Sequence, residues 1–318
     1  MSELEVYLGI DTSCYTTSVA FMDRRANLVG ESRQILKVHE GKCGLQQSEM
    51  VFQHTRNLPE MITNAMPRGA KIIGVCASGY PRPLPDSYMP AFLVGAGLAR
   101  SVSVLNNIPL WLISHQENHL LAGKWSAGGP DDERFLFLHA SGGTTDLLTA
   151  EKDGNGSYKL TEIGGSIDLH AGQFIDRIGV SLGLQFPAGP ALEKFAGTAS
   201  GPVELPVSVK GCKASLSGPA TAAERKLAAG ADPAGIALGV QKVLAETFFR
   251  LICNACREYN TKSVLIAGGV ASNTYIREYL HNKLTGRKIS LWHPQARFSC
   301  DNASGCAAFA VLKGEKSV

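Results

Sequence analysis

The chain has 318 residues, enough for two domains and a large core. Lys and Arg number 31 against 28 Asp and Glu, so the formal charge of +3 excludes a broad nucleic-acid-coating surface. The composition is that of a soluble α/β protein, with many Gly and Ala and 7% aromatic residues. No basic–apolar–small leader and no bilayer-length apolar run stand out, so a cytoplasmic location without membrane association is expected.

Residues 6–21 read as a strand, a hydroxyl-rich turn and a return strand. Asp11 stands where a carboxylate can hold Mg²⁺, directly or through water. Leu28–Leu36 is a third strand, 39–47 a polar loop, and Gln47–Met66 a helix by its apolar spacing, stopped before Pro67. Lys71–Cys76 is a buried strand, Ala77–Asp86 a breaker-rich loop, 90–105 a helix of small residues, and Pro109–Ile113 a strand. Ser114 is a plausible N-cap for the following helix. There His115 and His119, four apart, share one face and can chelate one ion; the alternative is two unrelated surface histidines. A zinc protease needs Glu directly after the first His; that place is Gln116, and Glu117 lies about 200° around the helix from His115.

The polar Gly/Pro loop 125–133 marks an approximate boundary between halves. A second hairpin, 136–148, turns at Ser141-Gly142-Gly143-Thr144, whose amides and small side chains can lie against phosphate oxygens. Two such hairpins suggest two similar halves. Gly164–Leu184 reads as a loop entering a helix, in which Asp176 is either a solvent-facing carboxylate or an acceptor for ligand hydroxyls. A rigid Pro187–Pro190 turn, a ribbon or loop over 198–218, a short helix at 219–229 and a long one over Ile236–Tyr259 follow. Cys253 and Cys256 in that long helix form a lone C-x-x-C, read as core packing, and the eight cysteines fit reduced thiols better than disulfides. Strand Ser263–Ile266 leads through Gly268-Gly269 into helix Thr274–Lys283, whose amides would favour an anion. After strand Ile289–Trp292, Asp301 opens a last helix of small residues, where its plainest role is an N-cap.

Taken in order, Gly9–Cys14, the His115/His119 helix, Ser141–Thr145, Ala171–Lys194, Ala267–Asn273 and Cys300–Ala303 resemble the motifs of the TsaD/Gcp/Kae family across nearly the whole chain. The resemblance implies an α/β fold of two actin-like, RNase H-like lobes of the actin–sugar kinase–Hsp70 superfamily, with nucleotide and metal bound in the cleft between them. The expected lobes are 1–110 and 111–318, the second carrying the two-histidine helix and the last helix able to cross back to the first.

The implied activity is transfer of a threonylcarbamoyl group from threonylcarbamoyl-AMP to N6 of adenosine 37 in tRNA. The alternatives are carbamoyl transfer to a small molecule, or a non-catalytic nucleotide-binding partner of the tRNA-modifying complex. The implied metal ligands and catalytic residues are His115, His119 and Asp301, with His139 as a fourth metal ligand. His139, Ala140, Ser141, Gly142, Gly143, Asp176, Gly189, Glu193 and Asn273 would hold the adenylate, or an ATP- or AMP-type nucleotide with Mg²⁺. The divalent metal is iron or zinc, with manganese also suited to these ligands. The implied partners are tRNA, TsaB- and TsaE-like proteins and a second copy of the chain. Departures from the family pattern fall at Thr144, Leu169, Gln173, the Gly41–Gln46 segment and the 77–86 loop.

Overall fold

The computed structural model describes residues 3–13, 15–38, 45–154 and 157–315. Cys14 of the first motif and residues 41–44 of the Gly41–Gln46 segment lie outside the described residues. The chain divides into two compact units: Met1–Gly128 with Asp153–Tyr158 and Asp301–Val318, and Gly129–Lys152 with Lys159–Cys300.

The first unit contains β1 (Leu4–Asp11), β2 (Thr16–Asp23), β3 (Leu28–Ile35), α1 (Gln47–Ala65), β4 (Ala70–Tyr80), α2 (Phe92–Asn106), β5 (Leu110–Ser114) and α3 (His115–Ala127). Its sheet runs β3-β2-β1-β4-β5, the first three strands antiparallel and the last two added in parallel. Val6, Leu8, Ile10, Val19 and Phe21 from the sheet and Leu58 and Met61 from α1 fill its core. Burying each such side chain is worth roughly 1.5–3 kcal/mol.

The second unit contains β6 (Arg134–Ala140), β7 (Thr145–Lys152), β8 (Tyr158–Ser166), α4 (Ala171–Ser181), α5 (Gly189–Ala196), β9 (Ser208–Lys210), β10 (Lys213–Ser215), α6 (Ser217–Ala228), α7 (Pro233–Glu258), β11 (Ser263–Ala267), α8 (Thr274–Thr285), β12 (Ser290–Trp292) and α9 (Ala296–Ser299). Its sheet order is β12-β11-β6-β7-β8-β10-β9. Read from β8 to β12 this repeats the first sheet's pattern, with the β9–β10 hairpin added at one edge. α7 is its core helix: Ile236, Val240, Val243, Leu244, Phe248, Leu251 and Ile252 are buried along it.

The boundary expected at 110/111 is displaced to Gly128/Gly129, within the polar loop. β5 and α3 pack in the first unit, and so does α10 (Ser304–Gly314), which lies on β1, β2, β4 and α3. α3 runs on to Ala127, three residues into the expected loop, and Gly128 ends it in the left-handed region at φ 70°. β4 continues four residues into the expected 77–86 loop, because Ala77 and Ser78 keep their parallel register with Leu112 and Ile113 of β5. Gly164–Ser166, read as loop, is the end of β8. No disulfide joins the six described cysteines. Burial pushes the Cys256 thiol up to about 12 and also raises Cys253, so both stay protonated and inert at neutral pH.

Candidate metal centre and the glycine turns

The first unit gathers the two-histidine helix and Asp301. Ser114 starts α3 with a reciprocal capping box: its Oγ accepts from Glu117 N (3.1 Å), and the Glu117 carboxylate accepts from Ser114 N (2.7 Å) and Oγ (2.6 Å). That cap commits Glu117 to the helix start and away from the histidines. His115 Nε2 and His119 Nε2 are 3.1 Å apart; Asp301 Oδ1 is 3.6 Å from the first and 3.3 Å from the second. These three residues form a cluster whose potential ligand atoms all lie within 4.8 Å of one another. A point equidistant from the three atoms falls about 1.9 Å from each, near the bond lengths of about 2.0–2.2 Å for imidazole nitrogen and carboxylate oxygen on zinc. Two imidazoles and one carboxylate also form the facial set used by non-haem iron. The donors therefore fit a divalent cation with positions left open.

Asp11 is fully buried at the end of β1. Its carboxylate accepts from Ser13 Oγ (2.8 Å) and Ser13 N (3.3 Å), and its Oδ2 lies 3.7 Å from His115 Nδ1. It thus faces the ring nitrogen opposite the one in the cluster, the arrangement by which an outer carboxylate fixes a ligating imidazole. Burial disfavours the Asp11 charge, but the His115 imidazole and the Ser78 and Ser13 hydroxyls hold its carboxyl below the usual range. Burial likewise lowers His115, yet Asp11 and Asp301 raise it overall. His119 is held down by burial and by His115, which keeps it neutral and able to ligate. Asp301 does not cap α10: Asn302 Oδ1 accepts from Ser304 N (3.0 Å) and from the Ser304 hydroxyl instead.

The remaining expected site residues lie in the second unit, on β6, its hairpin turn, α4, α5 and the start of α8. His139 is buried on β6, stacked on Phe137 with ring centres 5.8 Å apart, and pairs in register with Asp146 and with Ala267. Gly268, at φ 104°, lies directly on the Ala140 carbonyl, where any side chain would collide. The hairpin turn is closed by Ser141 N donating to Thr144 O (2.8 Å) and packs on the start of α4, where Gly172 N donates to Ser141 O (3.1 Å) and Ala171 N to Thr145 Oγ1 (2.7 Å).

Asp176 accepts from Ala188 N (2.7 Å), and burial raises its carboxyl despite that bond. Asn273 is the N-cap of α8, accepting from Ile276 N (3.0 Å), and Glu193 of α5 accepts from Thr274 N (2.8 Å). The expectation that the Gly268-Gly269 turn opens directly into α8 is corrected. A 3-10 turn, Val270–Ser272, intervenes, and the first amide of α8 is already met by a carboxylate.

Gly142, Gly143 and Gly189 behave differently from Gly268. None has positive φ, and a Cβ on any of them would meet no atom within 4 Å. Neither backbone conformation nor internal packing demands glycine at these three positions.

Sequence reasoning missed Asn118, Ser13 and Gly305, which set the geometry of the first cluster. Nothing periodic marks them, and only their contacts identify them.

A two-sheet α/β fold with the duplicated strand order carries a partly buried cluster of two histidines and one carboxylate that fits a divalent cation. Residues 88–308 match the model of the TsaD family, described as tRNA N6-adenosine threonylcarbamoyltransferase, and the chain belongs to that family. It is 29% identical over 316 residues to a tRNA N6-adenosine threonylcarbamoyltransferase of Nitrosomonas eutropha, covering 96% of this chain and 91% of that protein. It is 27% identical over 306 residues to a probable bifunctional tRNA threonylcarbamoyladenosine biosynthesis protein of Methanothermobacter thermautotrophicus, spanning 96% of this chain and 55% of that protein. Among solved structures, T. kodakarensis HypF matches with a TM-score of 0.62 at 14% identity, over 99% of this chain and 48% of that one, a likeness of fold. No helix among the described residues is long and apolar enough to cross a membrane.

Proposed function

We propose that the chain transfers a threonylcarbamoyl group from threonylcarbamoyl-AMP to N6 of adenosine 37 in tRNA. The observation that carries this reading, beside family membership, is the convergence of two imidazole nitrogens and one carboxylate oxygen at 3.1–3.6 Å. A divalent cation held by His115, His119 and Asp301, iron or zinc on this donor set, supplies Lewis-acid charge to the acyl donor when bound. Asp11 and Ser13 hold His115 in its ligating orientation. Gly142 and Gly143 keep a bare backbone against the adenylate, with Asp176, Gly189, Glu193 and Asn273 shaping the rest of the nucleotide site. The adenine N6 amine attacks the carbamoyl carbonyl carbon, a C–N bond forms, the C–O bond to the phosphate breaks, AMP leaves, and the surplus N6 proton passes to solvent. Positioning of the two reactants accounts for much of the rate. The reaction is cytoplasmic, and TsaB- and TsaE-like proteins assist it.

The test supplies threonylcarbamoyl-AMP, tRNA and a divalent metal to the chain, with and without those partners, and analyses tRNA nucleosides by mass spectrometry. Threonylcarbamoyladenosine at position 37 supports the proposal. A carbamoylated small metabolite with unmodified tRNA overturns it.

One substitution refines the site. Gly143→Ala is expected to leave stability within about 0.5 kcal/mol, as for an unconstrained surface position, while weakening ATP binding about tenfold in titration calorimetry. Unchanged ATP affinity would remove Gly143 from the nucleotide site.

A further inference from the structure

Asp301 sits in a non-helical segment just before α10, and its side chain is 23% exposed. The segment that follows it is held by one residue of α3. Asn118 is 1% exposed, and both ends of its carboxamide are engaged. Its Nδ2 donates to Asn302 O (2.7 Å), and its Oδ1 accepts from Cys306 N (2.8 Å). Its own backbone carbonyl lies against Gly305 so closely that a side chain on Gly305 would collide with it. The first contact holds the carbonyl of Asn302, the residue after Asp301, and the second fixes the first turn of α10. Asn118 also lies one residue before His119 and three after His115.

We propose that Asn118 is a positioning residue for the cation cluster. One turn of α3 supplies two ligands and, through Asn118, sets the third. The carboxamide suits the task because it donates and accepts at once, which neither an ionised aspartate nor a hydroxyl of shorter reach reproduces. An outer contact of this kind tunes affinity without touching the ion. The inference rests on the reading that His115, His119 and Asp301 hold a cation.

The test uses the full chain and Co²⁺ as probe, with affinity from chelator competition and geometry from the visible absorption of bound Co²⁺. Thermal melts in chelator report folding alone. Asn118→Ala is expected to weaken Co²⁺ binding about ten- to a hundredfold and to alter the spectrum. Asn118→Asp keeps the acceptor for Cys306 N and loses the donor to Asn302 O; it gives an intermediate loss and serves if the alanine variant does not fold. In an Asp301→Ala background, adding Asn118→Ala is expected to cost no further affinity, because the residue acts through Asp301. Unchanged affinity and spectrum, or an equal penalty in that background, would overturn the proposal. If the unsubstituted chain binds no Co²⁺, the cluster reading itself fails, which is distinguishable from failure of Asn118 alone.

Discussion

Gly305→Ala is expected to destabilise the first unit by about 3 kcal/mol and to lower its melting midpoint by roughly 6–12 °C. The added methyl meets the Asn118 backbone carbonyl, with the Asn118 carbonyl carbon only 2.8 Å away. Overpacking usually costs about 1–3 kcal/mol, and the upper end applies where the obstacle is backbone rather than a side chain that can turn aside. Here α3 is anchored by its capping box and α10 by β1, where Gly9 lies equally tight against the Ala303 carbonyl. Relief therefore requires α10 to lift from α3, which draws Asp301 away from the imidazoles. Melting in chelator and Co²⁺ titration are expected to report both effects. A midpoint within about 2 °C of the unsubstituted protein would show that the helices separate at little cost.

His119→Ala is expected to weaken divalent metal binding by a factor of about 30–1000. Apparent binding energies of about 10–16 kcal/mol for four-ligand structural zinc sites place each ligand at about 2–4 kcal/mol. Threonylcarbamoyl transfer to tRNA is expected to fall with the lost metal. Glu117→Gln is the informative control. Glu117 serves the helix start, so its substitution is expected to cost about 1 kcal/mol of stability and to leave metal affinity unchanged. Retained metal in His119→Ala, or metal lost in Glu117→Gln, would reassign the ligands.

Much of the architecture was legible because short-range chemistry announces it. The two hairpins show apolar runs broken by small polar turns, and α3 shows Ser114 with Glu117 three residues later. What was not legible depends on contacts between distant residues. β5 belongs to the first unit because it adds in parallel to β4, and α3 because α10, some 180 residues later, packs against it; no local pattern records the second partnership. β8 escaped because its alternation is half exposed and ends in Gly164-Gly165, which reads as a loop. The convergence of Asp301 on His115 and His119 was expected only through the family resemblance; spacing supplied the histidine pair alone. The duties of Glu193 and Asp176 in tying helices together were hidden, since a carboxylate that holds a neighbouring amide looks the same in sequence as one that faces solvent.

The placement of α10 bears on how the molecule is made. Translation proceeds from the amino end, and domains generally fold as units while the chain emerges. Asp11, His115 and His119 leave the ribosome early, whereas Asp301 and the helix that covers Gly9 come about 180 residues afterwards. The nascent first sheet is therefore left with an uncovered face during synthesis of the entire second unit. On the proposed reading of the triad, cation capture would be a late step in biogenesis, one that reports arrival of the closing helix.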